Sequence, residues 1–264
     1  VTNAGGIFLL ESNALIIGGT GVQTTGGNAA IEITLTAGNL TLDEDITANG
    51  SGTVTLTLSG ANTGVVTSGA DDDIASTSGA ITITADRLTL ATGTIASSGA
   101  LILQPNAAGE TIGIGGGSGD FNLAAAEIAL LTNGFSAITI GKTNSGVVDI
   151  NAITFTDPVT IQGGAITVTA LQAGNNNITL TSTATIDEDV NDTTVDITTS
   201  ATLVMTAAGA IGATGGSGPL DLAVGTLQAA TNATGIFLLE GDGLIIGGTG
   251  VQTTAGNAPI EITL

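Results

Sequence analysis

Between Ala80 and Gly99 the chain reads AITITADRLTLATGTIASSG, and this stretch constrains the fold more than any other. Ile81 and Ile83 alternate with Thr82 and Thr84, Leu88 and Leu90 repeat the alternation, and Ile95 opens a third segment. Ser97, Ser98 and Gly99 then turn the chain, and Leu101 and Leu103 begin again. Period-two alternation marks a strand with one buried face. Three such strands and a return fit into a unit of about 20 residues, a repeat length typical of solenoids. The alternation recurs along the chain, for instance at Val54, Leu56 and Leu58, at Ile138 and Ile140, at Ile166 and Val168, and at Ile178 and Leu180.

Many short strands also build sandwiches and barrels, but those folds fill a wide interior with large side chains. Here there are five Phe, no Trp and no Tyr. A β-solenoid has a narrow interior that Ile, Leu, Val and Ala fill in stacked columns, with Gly, Asn and Ser at the corners. The expected fold is therefore all-β, a parallel β-solenoid with coils of about 20 residues. It should run as one continuous segment over 1–264, with about 13 coils spaced about 4.8 Å apart. Helical spacing occurs only in LAAAEIALLT at Leu123–Thr132, which reads as one short helical turn or as another coil with Ala inside.

A longer repeat overlies the short one. Residues 2–35 and 231–264 agree at 28 of 34 positions, at an offset of 229 residues. The differences fall on small, polar or turn-type residues, while Ile7, Phe8, Leu9, Leu10, Leu15, Ile16, Ile17, Ile31, Ile33 and Leu35 recur unchanged. The simplest reading is tandem duplication within a longer parent chain, of which this is an internal piece. A weaker echo relates ITLTAGNLTLDEDI at 33–46 to ITLTSTATIDEDV at 178–190.

Charge excludes some partners. Against 23 acidic residues stand only Arg87 and Lys142, for a net charge of −21. Nucleic acid and anionic membrane surfaces both require clustered Lys and Arg, so neither is an expected partner. No apolar run reaches the roughly 18 residues needed to cross a bilayer. Catalysis has few instruments, because His, Cys and Tyr are absent and any nucleophile would lack a His base. No enzymatic activity is expected.

The acidic residues gather at Asp43, Glu44 and Asp45, at Asp71, Asp72 and Asp73, and at Asp187, Glu188 and Asp189. Solvated corners between strands are the simpler reading of these runs. Calcium coordination through carboxylate oxygens is the other, although neither the EF-hand spacing nor the glycine-rich calcium solenoid repeat is present. The first and third runs occupy matching places in related units. Outward Thr ladders such as Thr53, Thr55 and Thr57 would suit ice binding only on a flat, regular face, and the coils vary in length.

The block from Ala100 to Gln162 carries a resemblance. Its landmarks are LILQPNAAGETIGIGGGSGDFNLAAAEIALLTNGFSAITIGKTNSG followed by VVDINAITFTDPVTI. It resembles the repetitive regions of very large bacterial exoproteins of the filamentous haemagglutinin type. The resemblance implies a right-handed parallel β-helix, secretion to the cell exterior or cell surface, and a role in adhesion, aggregation or matrix. No binding motif of that family transfers to a residue here. The expected function is a structural component of an extracellular bacterial fibre, sheath or matrix that self-associates end to end and laterally, with a cell surface or a polysaccharide as a further contact. The alternative is the rod-like stalk of a secreted adhesin whose binding activity lies elsewhere.

Overall fold

The computed structural model describes residues 1–264 except 4, 61–62, 68–71, 215–217, 233 and 256, so Asp71 of the second acidic run lies outside the described residues. The chain divides into two units, residues 1–110 with 120–140, and residues 111–119 with 141–264. Both are parallel β-solenoid, with about 10 turns in all, about 24 residues per turn and almost no helix.

In the first unit each of the first four turns lays down three short strands, and each strand adds to its own parallel sheet. One face runs Ile7–Glu11, Ile31–Leu35, Val54–Leu58, Ile81–Thr84, Ala100–Gln104 and Ala137–Gly141. The second runs Leu15–Ile17, Leu40–Leu42, Gly64–Thr67 and Arg87–Thr89. The third runs Val22–Gln23, Ile46–Ala48, Ile74–Ser76 and Ile95–Ala96. The registers explain the turn length. Ile7 pairs with Ile31, Ile31 with Val54, Val54 with Ile81 and Ile81 with Leu101, spacings of 24, 23, 27 and 20 residues. The unit at Ala80–Gly99 is thus the shortest of these turns.

The alternation sets which side chains meet. Ile31, Val54, Ile81 and Leu101 form one fully buried column, and Ile33, Leu56, Ile83 and Leu103 another. Each buried aliphatic side chain contributes about 1.5–3 kcal/mol relative to exposure. The intervening Thr side chains are half-buried on the outer surface, where a β-branched residue keeps strand propensity.

Corners bring backbone groups inside, and hydroxyls satisfy them. Ser76 Oγ donates to Gly52 O at 2.7 Å and accepts from Gly79 N at 2.9 Å. Ser97 Oγ repeats this one turn on, with Gly79 O at 2.7 Å and Gly99 N at 2.9 Å. Thr199 does the same in the second unit, with Asn176 O at 2.6 Å and Ala201 N at 3.1 Å. These hydroxyls are buried but fully employed, as buried polar groups must be.

The second unit keeps the three-strand turn. Its first face stacks Ile112–Ile114, Val148–Ile150, Ile166–Val168 and Ile186–Glu188. Single bridges from Ile186 to Ile211 and from Ile211 to Ile236 carry it on to Ile236–Glu240 and Ile260–Thr263. Elsewhere the corner between two strands straightens, and Ile197–Ala207 and Leu220–Thr231 each run through two faces as single long strands.

The short helical turn is present as Ala125–Ile128. Glu127 anchors it, accepting the N–H of Ala124 at 2.9 Å and that of Leu90 at 3.1 Å. Among the described residues no helix is long and apolar enough to cross a membrane.

Candidate functional site

The strand Ile186–Glu188 alternates as its neighbours do, with Ile186 inward, Asp187 half-buried and Glu188 inward. Register places Ile150 beside Val168 and Val168 beside Glu188. A carboxylate therefore stands where an aliphatic column would continue. Two further acids converge on it, Asp196 from later in the same turn and Asp221 from the next. Asp196 immediately precedes the strand Ile197–Ala207, and Asp221 is the second residue of Leu220–Thr231. The two are stitched together: Asp196 N donates to Asp221 O at 2.9 Å, and Asp221 N donates to Asp196 Oδ2 at 2.9 Å.

One carboxylate oxygen each from Glu188, Asp196 and Asp221 lies within 4.8 Å of the other two. The three residues are 5%, 4% and 2% exposed. Neither oxygen of Glu188 accepts a hydrogen bond, and neither oxygen of Asp221 does. A buried, unpaired carboxylate is costly, by several kcal/mol after relaxation, and the group responds by holding its proton. Burial pushes Glu188 up to about 7, with the charges of Asp221, Asp187 and Asp192 adding to the rise. The Asp192 N–H opposes it without making a hydrogen bond of normal geometry. Burial likewise pushes Asp196 up to about 7, and the N–H of Asp221 partly offsets this. Asp221 is raised by burial and then by Asp192, and Asp187 is raised by burial.

The acids singled out in the sequence take different places. Asp43, Glu44 and Asp45 form the bend between Leu40–Leu42 and Ile46–Ala48, Asp43 exposed and the other two half-buried. Asp45 Oδ1 accepts the N–H of Asp73 at 3.0 Å. Asp73 Oδ1 accepts the N–H and hydroxyl of Thr94 at 2.7 and 2.8 Å. The same residues pair through their backbones, with Ile46 N on Asp73 O and Ile74 N on Thr94 O, both at 2.9 Å. These carboxylates are rungs joining successive turns. Asp72 is buried beside them. In the third run only Glu188 turns fully inward, and Asp189 is exposed.

Thus DED at 43–45 makes a bend, while DED at 187–189 begins inside a strand. Asp196 and Asp221 were not singled out in the sequence. Their signal was present: VDIT at 195–198 and LDLA at 220–223 place an acid at the same point of the alternation, 25 residues apart, which is one turn.

Three carboxylates with no His or Cys nearby offer hard oxygen donors only, a set suited to a hard cation or a shared proton. Set against protein-family models, curated proteins and solved structures, the chain matches none.

Proposed function

We propose that this chain is a structural segment of an extracellular fibre, sheath or matrix assembled from tandem β-solenoid repeats, with no catalytic role. The observation that supports this most is one strand sequence seen in two settings. IFLLE occurs at Ile7–Glu11 and again at Ile236–Glu240. The second copy lies between Leu220–Thr231 and Ile260–Thr263, with Ile236 and Leu238 fully buried and Phe237 and Leu239 half-buried. Among the described residues the first pairs with Ile31–Leu35, and Leu9, the counterpart of Leu238, is 38% exposed, with Phe8 68% and Leu10 77% exposed.

The surroundings match as well. A groove of about 260 Å³ at Phe8, Leu9, Leu10, Glu32 and Thr34 shares four of these five positions with one of about 230 Å³ at Phe237, Leu238, Glu261 and Thr263. In the second copy Ala213, Thr214 and Pro219 line the groove too. The strand thus has a known way to be covered: the turn that precedes Ile236 in this chain. The same turn, supplied by another copy of this chain, would cover Ile7–Glu11. Ile31–Leu35, the counterpart of Ile260–Thr263, is in turn paired with Val54–Leu58. The resemblance to large bacterial exoproteins supports the extracellular setting.

Electron microscopy and sedimentation of the purified chain test the reading. End-to-end assemblies are expected, and the double variant Phe8→Lys, Leu10→Lys should abolish them. Single, unassociated particles at every concentration would overturn the fibre and leave an adhesin stalk, a spacer that makes no contacts of its own.

A further inference from the structure

We infer that Glu188, Asp196 and Asp221 form a Ca²⁺ site inside the second unit. Glu188 and Asp221 are at least 95% buried, aim into the cluster, and have all four of their carboxylate oxygens without a hydrogen-bond partner. Purely structural acids in this molecule look different. Asp45, Asp73 and Glu127 each accept backbone N–H groups. Glu188 and Asp221 lack that compensation, and the charges acting on Glu188 and Asp196 are other carboxylates.

The geometry selects the ion. Ca²⁺ holds oxygens at 2.3–2.6 Å, so two ligands of one ion can stand up to roughly 5 Å apart. The three donor oxygens all fall within 4.8 Å of one another. Mg²⁺ demands shorter contacts and retains several waters, which a site this enclosed does not favour. The absence of nitrogen and sulfur donors disfavours zinc and copper. Gly218 frames the site. Its φ is +60°, and a Cβ there would run into both Glu188 Oε1 and Asn191 Oδ1. Glu188, Asp196 and Asp221 come from three successive stretches of chain, so one ion would tie them as a rivet.

Calorimetric titration of the metal-stripped chain with CaCl₂, alongside thermal melts in CaCl₂ and in EGTA, tests this. One enclosed site predicts saturable binding near one Ca²⁺ per chain and a rise in melting temperature of several degrees. MgCl₂ should be weaker by at least about tenfold. Glu188→Gln and Asp221→Asn should each weaken Ca²⁺ by at least about tenfold while melting no lower than wild type in EGTA, since each removes a buried charge. A surface control, Asp43→Asn with Asp189→Asn, should leave binding unchanged. The inference is overturned if Ca²⁺ binds without saturation, if the surface control abolishes binding, or if Glu188→Gln and Asp221→Asn bind as wild type does.

Discussion

The acidic bend at Asp43–Asp45 and the triad around Glu188 begin from the same tripeptide and end in opposite situations. At the bend, Asp45 hands its oxygen to the N–H of Asp73, and Asp73 does the same for Thr94, so each charge is met by donors from the next turn. At Glu188 a carboxylate enters the aliphatic column behind Ile150 and Val168 and meets Asp196 and Asp221. The difference is one of phase. The preceding strand stops at Leu42 in the first case, so DED bends; in the second it starts at Ile186, so the middle residue points inward. In a solenoid, a shift of strand boundary by a few residues turns a surface acid into a core acid.

The largest expected effect follows from undoing that burial. Glu188→Leu would complete the column and remove a charge whose pKa stands at about 7 against an ordinary 4.5. In EGTA at pH 8 it should stabilise the second unit by ~3 kcal/mol, the free-energy equivalent of that displacement. Denaturant unfolding measures it. No gain at pH 8 would mean that the carboxylate finds compensation the geometry does not show.

A second test uses pH alone. Glu188 and Asp196 have folded pKa values raised to about 7, above their unfolded values. The folded state therefore binds more protons between about pH 4 and 7, and stability is highest below that window and falls as pH rises through it. In EGTA the melting temperature should drop between pH 5 and pH 8. Saturating Ca²⁺ should reverse the trend by favouring the ionised triad. Glu188→Leu should flatten the profile only in part, because Asp196 still titrates.

Much of this architecture is legible in the residues. Ile81, Ile83, Leu88, Leu90 and Ile95 announce three strands per turn, and the lack of Trp and Tyr announces a narrow core. The mean turn length is less legible, because the clearest unit is also a short one and other turns absorb extra residues in their corners. The triad is half legible. Glu188 lies in a conspicuous run, but its partners are single acids, and only the stacking register brings Asp196 beside Asp221. Register is a property of neighbouring turns, and the alternation within one turn does not reveal it.

Backbone strain gives a third, smaller test on both sides of the comparison. Gly21 has φ +69°, and a Cβ there would strike the carbonyl of Asp45; Gly218 has φ +60° and backs onto Glu188. Ala at either position should cost about 1–3 kcal/mol. Only Gly218→Ala should also weaken Ca²⁺, which calorimetry separates from a simple loss of stability.

The smallest effects belong to the bend, and they decide whether its charges matter. Asp73→Ala removes the acceptor for the N–H and the hydroxyl of Thr94 and should cost about 1–2 kcal/mol. Asp45→Asn keeps an oxygen in the same place. The molecule already uses that solution: Asn39 Oδ1 accepts the N–H of Gly64 at 3.0 Å, and Asn177 Oδ1 that of Thr202 at 3.1 Å, each one turn away. Asp45→Asn should therefore change unfolding free energy by no more than about 0.5 kcal/mol and leave Ca²⁺ binding untouched. A larger loss would show that the bend needs its negative charge as well as its acceptor, and would bring the two acidic regions closer in kind than their hydrogen bonds indicate.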